Sequence, residues 1–171
     1  FVFTEEGLWY DSNPFYQNPV EISSMSFESN LKNATVARAG YIREFLDGLV
    51  KYLFHDTSTN SPFTHTSHVE NDRFRLYSKG QNVAAYLYSI RERHPLSYNL
   101  IVGTIQSIAP YFSDCCLTPD DNGLVMLLWT SKHSENIYGV TDLSDGTIRF
   151  IALTVLFLQP SLPATITIDK L

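Results

Sequence analysis

Residues 143–169 read LSDGTIRFIALTVLFLQPSLPATITID, and no other stretch constrains the fold as much. Ile148, Phe150, Ile151, Leu153, Val155, Leu156 and Phe157 leave little polar surface between them, so the spacing predicts a helix over 144–158 that is buried rather than laid on a surface. Gln159-Pro160-Ser161-Leu162-Pro163 ends it, because proline cannot continue a helix. The run Ala164–Ile168 then predicts a short strand of the buried, parallel type, closed by Asp169.

That order of elements suits anion chemistry. A helix N-terminus presents unpaired N–H groups and roughly half a positive charge. Ser144 supplies a hydroxyl there, and Gly146, lacking a Cβ, lets a phosphate approach the backbone. Asp145 favours the dipole but repels a phosphate, so its side chain is expected to point away from any ligand. A carboxylate at the end of an apolar strand, as at Asp169, is placed to hold Mg²⁺ or its waters beside a nucleotide. Singly, the same residues read as an ordinary cap and an ordinary loop acid.

Upstream, the pattern is that of an α+β chain. The segment 1–35 predicts an antiparallel hairpin with Glu6-Gly7 at its turn, followed by a Pro/Asn-rich loop. The segment 36–112 reads as helical. Its first helix carries Ile42, Phe45, Leu46, Leu49, Val50 and Leu53 at helical spacing to about Phe54, and a long polar loop follows through Arg73. A helix from about Asn82 to Arg93 would bury Val83, Leu87 and Ile90. A second starts at Pro95, lines up Leu100, Ile101, Ile105 and Ile108, and stops at Pro110. The segment 113–142 predicts two strands around Pro-Asp-Asp-Asn-Gly and then a polar stretch, and 143–171 holds the closing helix and strand.

Composition excludes several classes. With 44% hydrophobic and 13% aromatic residues in 171, a domain-sized core is expected, burying roughly 70% of the unfolded surface. A formal charge of −6 lacks the electrostatic footprint of a nucleic-acid surface. No apolar run reaches the ~20 residues of a membrane span, so the chain reads as soluble and cytoplasmic. The two cysteines, Cys115 and Cys116, are adjacent and point to opposite faces of a strand, which predicts free thiols, one of them buried. The start at Phe1, in mid-strand, reads as a piece of a longer chain.

LSDGT, the apolar helix, the Pro-rich turn and ITID together resemble the signature motif and Walker B strand of ABC-type ATPases, in the RecF/SMC-like branch where LSDGT replaces LSGGQ. The likeness extends back through FHDTS at 54–58, GQNVAAYL at 80–87, RERHP at 91–95 and IAPYF at 108–112. It implies part of a P-loop NTPase lobe, linked to DNA maintenance or phage defence. In such a lobe Ser144, Asp145, Gly146 and Thr147 form the signature surface, where Ser144 and the amides of Gly146 and Thr147 meet in trans the γ-phosphate of ATP held by a second lobe, most simply in a homodimer. Asp169 would act in cis on Mg²⁺.

The resemblance has departures. The 171 residues contain no G-x-x-x-x-G-K-[ST] phosphate loop, so the chain alone is not expected to bind or hydrolyse ATP, and any DNA contact would come through the parent protein. Lys170 stands where the family has its catalytic glutamate, with the wrong charge for a general base, which implies a hydrolysis-deficient lobe or a chain end of artificial origin. The alternative is a non-catalytic interaction module derived from such a lobe.

Other residues carry weaker expectations. His55, Asp56, His65 and His68 fall in a Thr/Ser/Asn-rich loop and read as solvated rather than metal-ligating. Tyr86, Tyr88, Tyr98 and Tyr111 read as packing residues rather than a base-stacking platform. Arg149, inside an apolar helix, either pairs with Asp145 four residues earlier or faces solvent.

Overall fold

The computed structural model describes residues 2–8, 20–163 and 165–169, which hold four α-helices and four small sheets. The fold is mixed α and β. The chain divides into two compact units, Phe1–Leu49 and Val50–Leu171.

In the first unit β1 (Phe3–Leu8) pairs antiparallel with β2 (Val20–Ser26). Glu6-Gly7, expected at a turn, lies inside β1, where the register shifts between the two residues. Glycine there serves a bulge rather than a reversal of the chain; the connection between the strands lies outside the described residues. The Glu6 carboxylate accepts hydrogen bonds from the Ser29 hydroxyl, from the Asn30 N–H at 2.8 Å and from Ser23 Oγ at 3.0 Å. It thereby ties β1 to the 3-10 turn Asn30–Asn33.

Next comes α1 (Ala37–Asp47), whose Arg43 Nη1 donates to the carbonyls of Leu31, Lys32 and Ala34 at 3.1, 2.9 and 2.7 Å. Gly48 caps α1, and Leu49–Tyr52 form strand β3 instead of the expected helical continuation to Phe54. Val50 and Tyr52 suit a pleated surface, and pairing with the last strand overrides the helical spacing. The expected apolar stripe of α1 is not buried, since Phe45 and Leu46 are exposed.

The second unit carries the main core. After β3 the polar loop contains a 3-10 turn at Pro62–Thr64 and the two-residue strand β4 (Ser67–His68). Buried Asn82 then organises the turns before the helices: its Oδ1 accepts from the Tyr77 N–H at 2.8 Å, and its Nδ2 donates to the carbonyls of Asp72 and Arg75 at 2.7 Å each. The helices α2 (Val83–Arg93) and α3 (Pro95–Ile108) follow as the apolar spacing predicts. Val83, Leu87 and Ile90 are buried, as are Ile101 and Ile105, whereas Leu100 and Ile108 face outward.

The expected hairpin forms between β5 (Phe112–Cys116) and β7 (Leu128–Ser131), but β6 (Leu124–Val125) turns aside to pair with β4. Gly123, at φ +74°, closes that turn, where the Asp120 carboxylate accepts the N–H groups of Asn122 and Leu124 at 2.9 Å each. The stretch expected to be merely polar contributes β8 (Ser134–Gly139), the outer partner of β7. The chain ends with α4 (Asp145–Leu158) and β9 (Thr165–Ile168).

Three helices and a sheet enclose the core, with α3 packed against α2, α4 and β5. Leu87, Ile101, Ile105, Phe112, Leu117, Val155 and Leu156 are fully shielded, each contributing about 1.5–3 kcal/mol through burial. The expected burial of α4 holds for Ile148, Ile151, Val155 and Leu156, while Phe157 is exposed. Paired with β3 alone among the described residues, β9 is half-buried rather than a fully covered core strand. Among the described residues no helix is long and apolar enough to cross a membrane.

Candidate functional site

Ser144 sits just before α4 in extended conformation, and its Oγ accepts the Thr147 N–H at 3.2 Å while lying 2.9 Å from Thr147 Oγ1. This is an N-cap, produced by a short hydroxyl side chain ahead of an apolar run that core burial, rather than intrinsic propensity, holds helical. Ser144, Asp145 and Gly146 are exposed, whereas Thr147 and Ile148 turn inward. The N–H groups of Asp145 and Gly146 have no intrahelical acceptor and lie on that exposed end. A Cβ added at Gly146 would meet only Ser144 Oγ, at 3.9 Å, so the backbone is open to a close approach.

The chain enters α4 along a fixed path. A 3-10 turn at Val140–Asp142 precedes it, held by the Gly139 N–H donating to Asp142 Oδ2 at 2.8 Å, with Val140 and Leu143 buried. That turn packs against the 3-10 turn Pro62–Thr64. On the first turns of α4, Arg149 Nη2 donates to the His55 carbonyl at 3.0 Å across 94 positions of sequence, a backbone contact that neither of the two alternatives, pairing with Asp145 or facing solvent, included.

Asp169 lies directly after β9. Its N–H donates to the Tyr52 carbonyl at 3.0 Å, and its Oδ2 lies 3.0 Å from Lys51 Nζ on β3. Both side chains are substantially exposed, at 57% for Lys51 and 42% for Asp169. Residues 51–55 therefore touch both expected elements, Asp169 at one end and the α4 helix at the other. Sequence reasoning missed Lys51, because nothing in its surroundings marks it as the neighbour of a residue near the other end of the chain. Lys170, expected at the catalytic glutamate position, lies outside the described residues.

The remaining candidates have local roles. Asp56 accepts both the Ser58 N–H, at 3.1 Å, and the Ser58 hydroxyl, at 2.8 Å, and these bonds hold its carboxyl below the usual range. His68 Nδ1 accepts the Glu70 N–H at 3.2 Å, and His55 and His65 are exposed. Among the described residues no three His, Cys, Asp or Glu side chains gather to hold a metal ion.

Cys115 and Cys116 are free thiols, and burial pushes Cys115 up to about 12. Tyr86 and Tyr98 are buried, Tyr88 is half-buried and Tyr111 is exposed. Tyr86 donates to Gln159 and Tyr98 to Asp114, the Arg91 guanidinium lies over Tyr88, and Tyr111 tilts against Trp129.

Comparison with protein-family models, curated proteins and solved structures yields no match to this chain.

Proposed function

We propose that this chain supplies the signature and Walker B elements of an ABC-type ATPase lobe of the RecF/SMC-like kind, working in the cytoplasm on DNA maintenance or phage defence. The observation that carries the reading is the exposed, capped start of α4, where Ser144 and Gly146 present a hydroxyl and an open backbone on a helix anchored in the core. Such an end attracts anions through its unpaired N–H groups and its dipole.

ATP, held by the phosphate loop of a second lobe, would bring its γ-phosphate to Ser144 and the Gly146 amide; the Thr147 amide, expected to join them, is instead taken up by the Ser144 cap. The partner is most simply a second copy of the same protein. Asp169 fits one ligand of a Mg²⁺ ion otherwise held by phosphates and waters, since such sites use one or two carboxylates. The Mg²⁺ would offset charge on the phosphates. The chain's own part is to fix that carboxylate through the Asp169 N–H bond to Tyr52 and to orient the hydroxyl through the Ser144–Thr147 cap.

In the full natural protein, Ser144→Arg should abolish ATP-driven dimerisation while leaving ATP binding by a single lobe intact. Unchanged dimerisation of that variant contradicts the proposal.

A second reading is favoured by the Lys51 ammonium at Asp169, which neutralises the carboxylate. In it the lobe's shape persists as a nucleotide-free interaction module. A phosphate loop in the natural coding sequence upstream supports the ATPase, and its absence supports the module.

A further inference from the structure

The outward face of α3 departs from what an exposed helix face carries. Tyr98, Ile101 and Ile105 point to the core, and the opposite side of such a helix is ordinarily charged or polar. Here it presents Leu96, Leu100 and Ile108, which are 84%, 57% and 61% exposed, beside exposed Gly103. Its hydroxyls are turned back on the helix: Thr104 Oγ1 donates to the Leu100 carbonyl at 2.8 Å and Ser107 Oγ to the Thr104 carbonyl at 2.7 Å, so covering this side strands neither donor. Glycine is costly inside a helix, yet nothing lies within 4 Å of where a Gly103 Cβ would stand, so the notch serves no neighbour among the described residues. Among the described residues α3 is also the one α-helix without an Asp, Glu, Lys or Arg.

We propose that this face docks a second copy of the chain, α3 packing antiparallel on α3 across a two-fold axis near Gly103, with no nucleotide required. Two chains that each carry a formal charge of −6 repel, and the repulsion is least where they meet on a surface free of carboxylates. Antiparallel packing also sets the positive N-terminal end of each helix beside the negative C-terminal end of the other. Arg91 and Arg93 outweigh Glu92 just ahead of Pro95, so the end that approaches the last carbonyls of the opposing α3 is net positive. An identical helix thus supplies both the apolar surface and the complementary ends, whereas a partner selected by charge would find none on the helix itself. Leu96 of one copy meets the Ile108 end of its partner, and Gly103 lets the two backbones approach at the axis. A 14-residue helix is about 21 Å long, so the contact falls below about 1,200 Å² and the dimer is a weak one in exchange with monomer. This contact is independent of the ATP-driven one proposed at Ser144.

Sedimentation equilibrium of the nucleotide-free 171-residue chain, from about 10 µM to 1 mM, tests the dimer. The weight-average mass of the wild type should climb from that of a monomer toward that of a dimer across the series. Leu100→Glu and Leu100→Lys each set like charges against each other at an exposed position and should weaken association at least about tenfold, while an equimolar mixture of the two variants recovers it. Unchanged melting temperatures show that both variants keep the fold. A readout on the wild type needs no variant: diluting the isotope-labelled chain should shift the amide signals of Leu96, Leu100 and Gly103 and leave those of β8 in place. A wild type that stays monomeric throughout overturns the proposal. So does association that neither substitution weakens, or dilution shifts confined to other elements, since the contact then lies elsewhere. Association lost in each variant but not recovered in the mixture overturns the two-fold pairing of α3 with itself.

Discussion

Tyr86 on α2 donates its phenolic hydrogen to Gln159 Oε1 at 2.8 Å, a buried bond joining residues 73 positions apart. Gln159 in turn donates from Nε2 to the Leu156 carbonyl at 2.7 Å, so the tyrosine fixes the residue that ends α4. Burial raises the Tyr86 hydroxyl to about 12, which keeps it a neutral donor. Tyr86→Phe leaves the Gln159 oxygen without its donor and should cost about 1–3 kcal/mol in urea unfolding. An unchanged midpoint would show that the bond contributes nothing net.

Gly146→Ala separates folding from ligand approach. The added methyl has open space, and alanine is the better helix former, so the isolated chain should gain up to about 1 kcal/mol. Under the proposed ATPase reading, the same methyl would stand in the path of the phosphate. Thermal melts should rise while ATP-driven association weakens; a loss of stability would mean that the start of α4 is more crowded than its geometry indicates.

Ser144→Ala removes the acceptor for the Thr147 N–H and should cost about 0.5–2 kcal/mol. Asn at the same position keeps a cap and should recover most of the loss. Chemical denaturation of the three proteins checks the order.

The two thiols should differ in reactivity. Cys115 is 5% exposed and pushed up to about 12 chiefly by burial, with Asp114 adding to the effect, so little thiolate forms near neutrality. Cys116 is partly exposed. An aromatic disulfide reagent should modify one thiol rapidly in the native chain and both in denaturant.

Acid should weaken the first unit through Glu6. Hydrogen bonds, first that from Ser29, hold its carboxyl below the ordinary 4.5. A depressed folded value means that the contribution is complete above about 4.5 and is lost as the pH falls through the folded value. Glu6→Gln should flatten that part of the melting-versus-pH profile, whereas an identical slope in wild type and variant would assign the acid sensitivity elsewhere.

The helices were legible where core contact and periodicity coincide. Ile101 and Ile105 stand one turn apart behind Pro95, and α4 needed only its apolar run and the Pro160 stop. Strand β8 escaped notice because Ser134-Glu135-Asn136 shows no apolar alternation; its pairing with β7, including the stack of Tyr138 on Trp129 at 4.8 Å, makes it a strand. Leu49–Tyr52 imitated a helical spacing until the pairing of β3 with β9 decided otherwise. At the candidate site the Ser144 cap is a local pattern and could be read from sequence. The contacts of Lys51 with Asp169 and of Arg149 with the His55 carbonyl are long-range products of the fold, so no local spacing encodes them.

Hydrogen exchange at the Gly146 amide in the full natural protein, with and without Mg²⁺ and a non-hydrolysable ATP analogue, tests the central claim most directly. A new bond from this amide to a charged phosphate should slow exchange roughly tenfold or more, and Ser144→Arg should remove the effect. Exchange at Gly146 that is indifferent to the analogue, in protein shown to have bound it, would contradict the account.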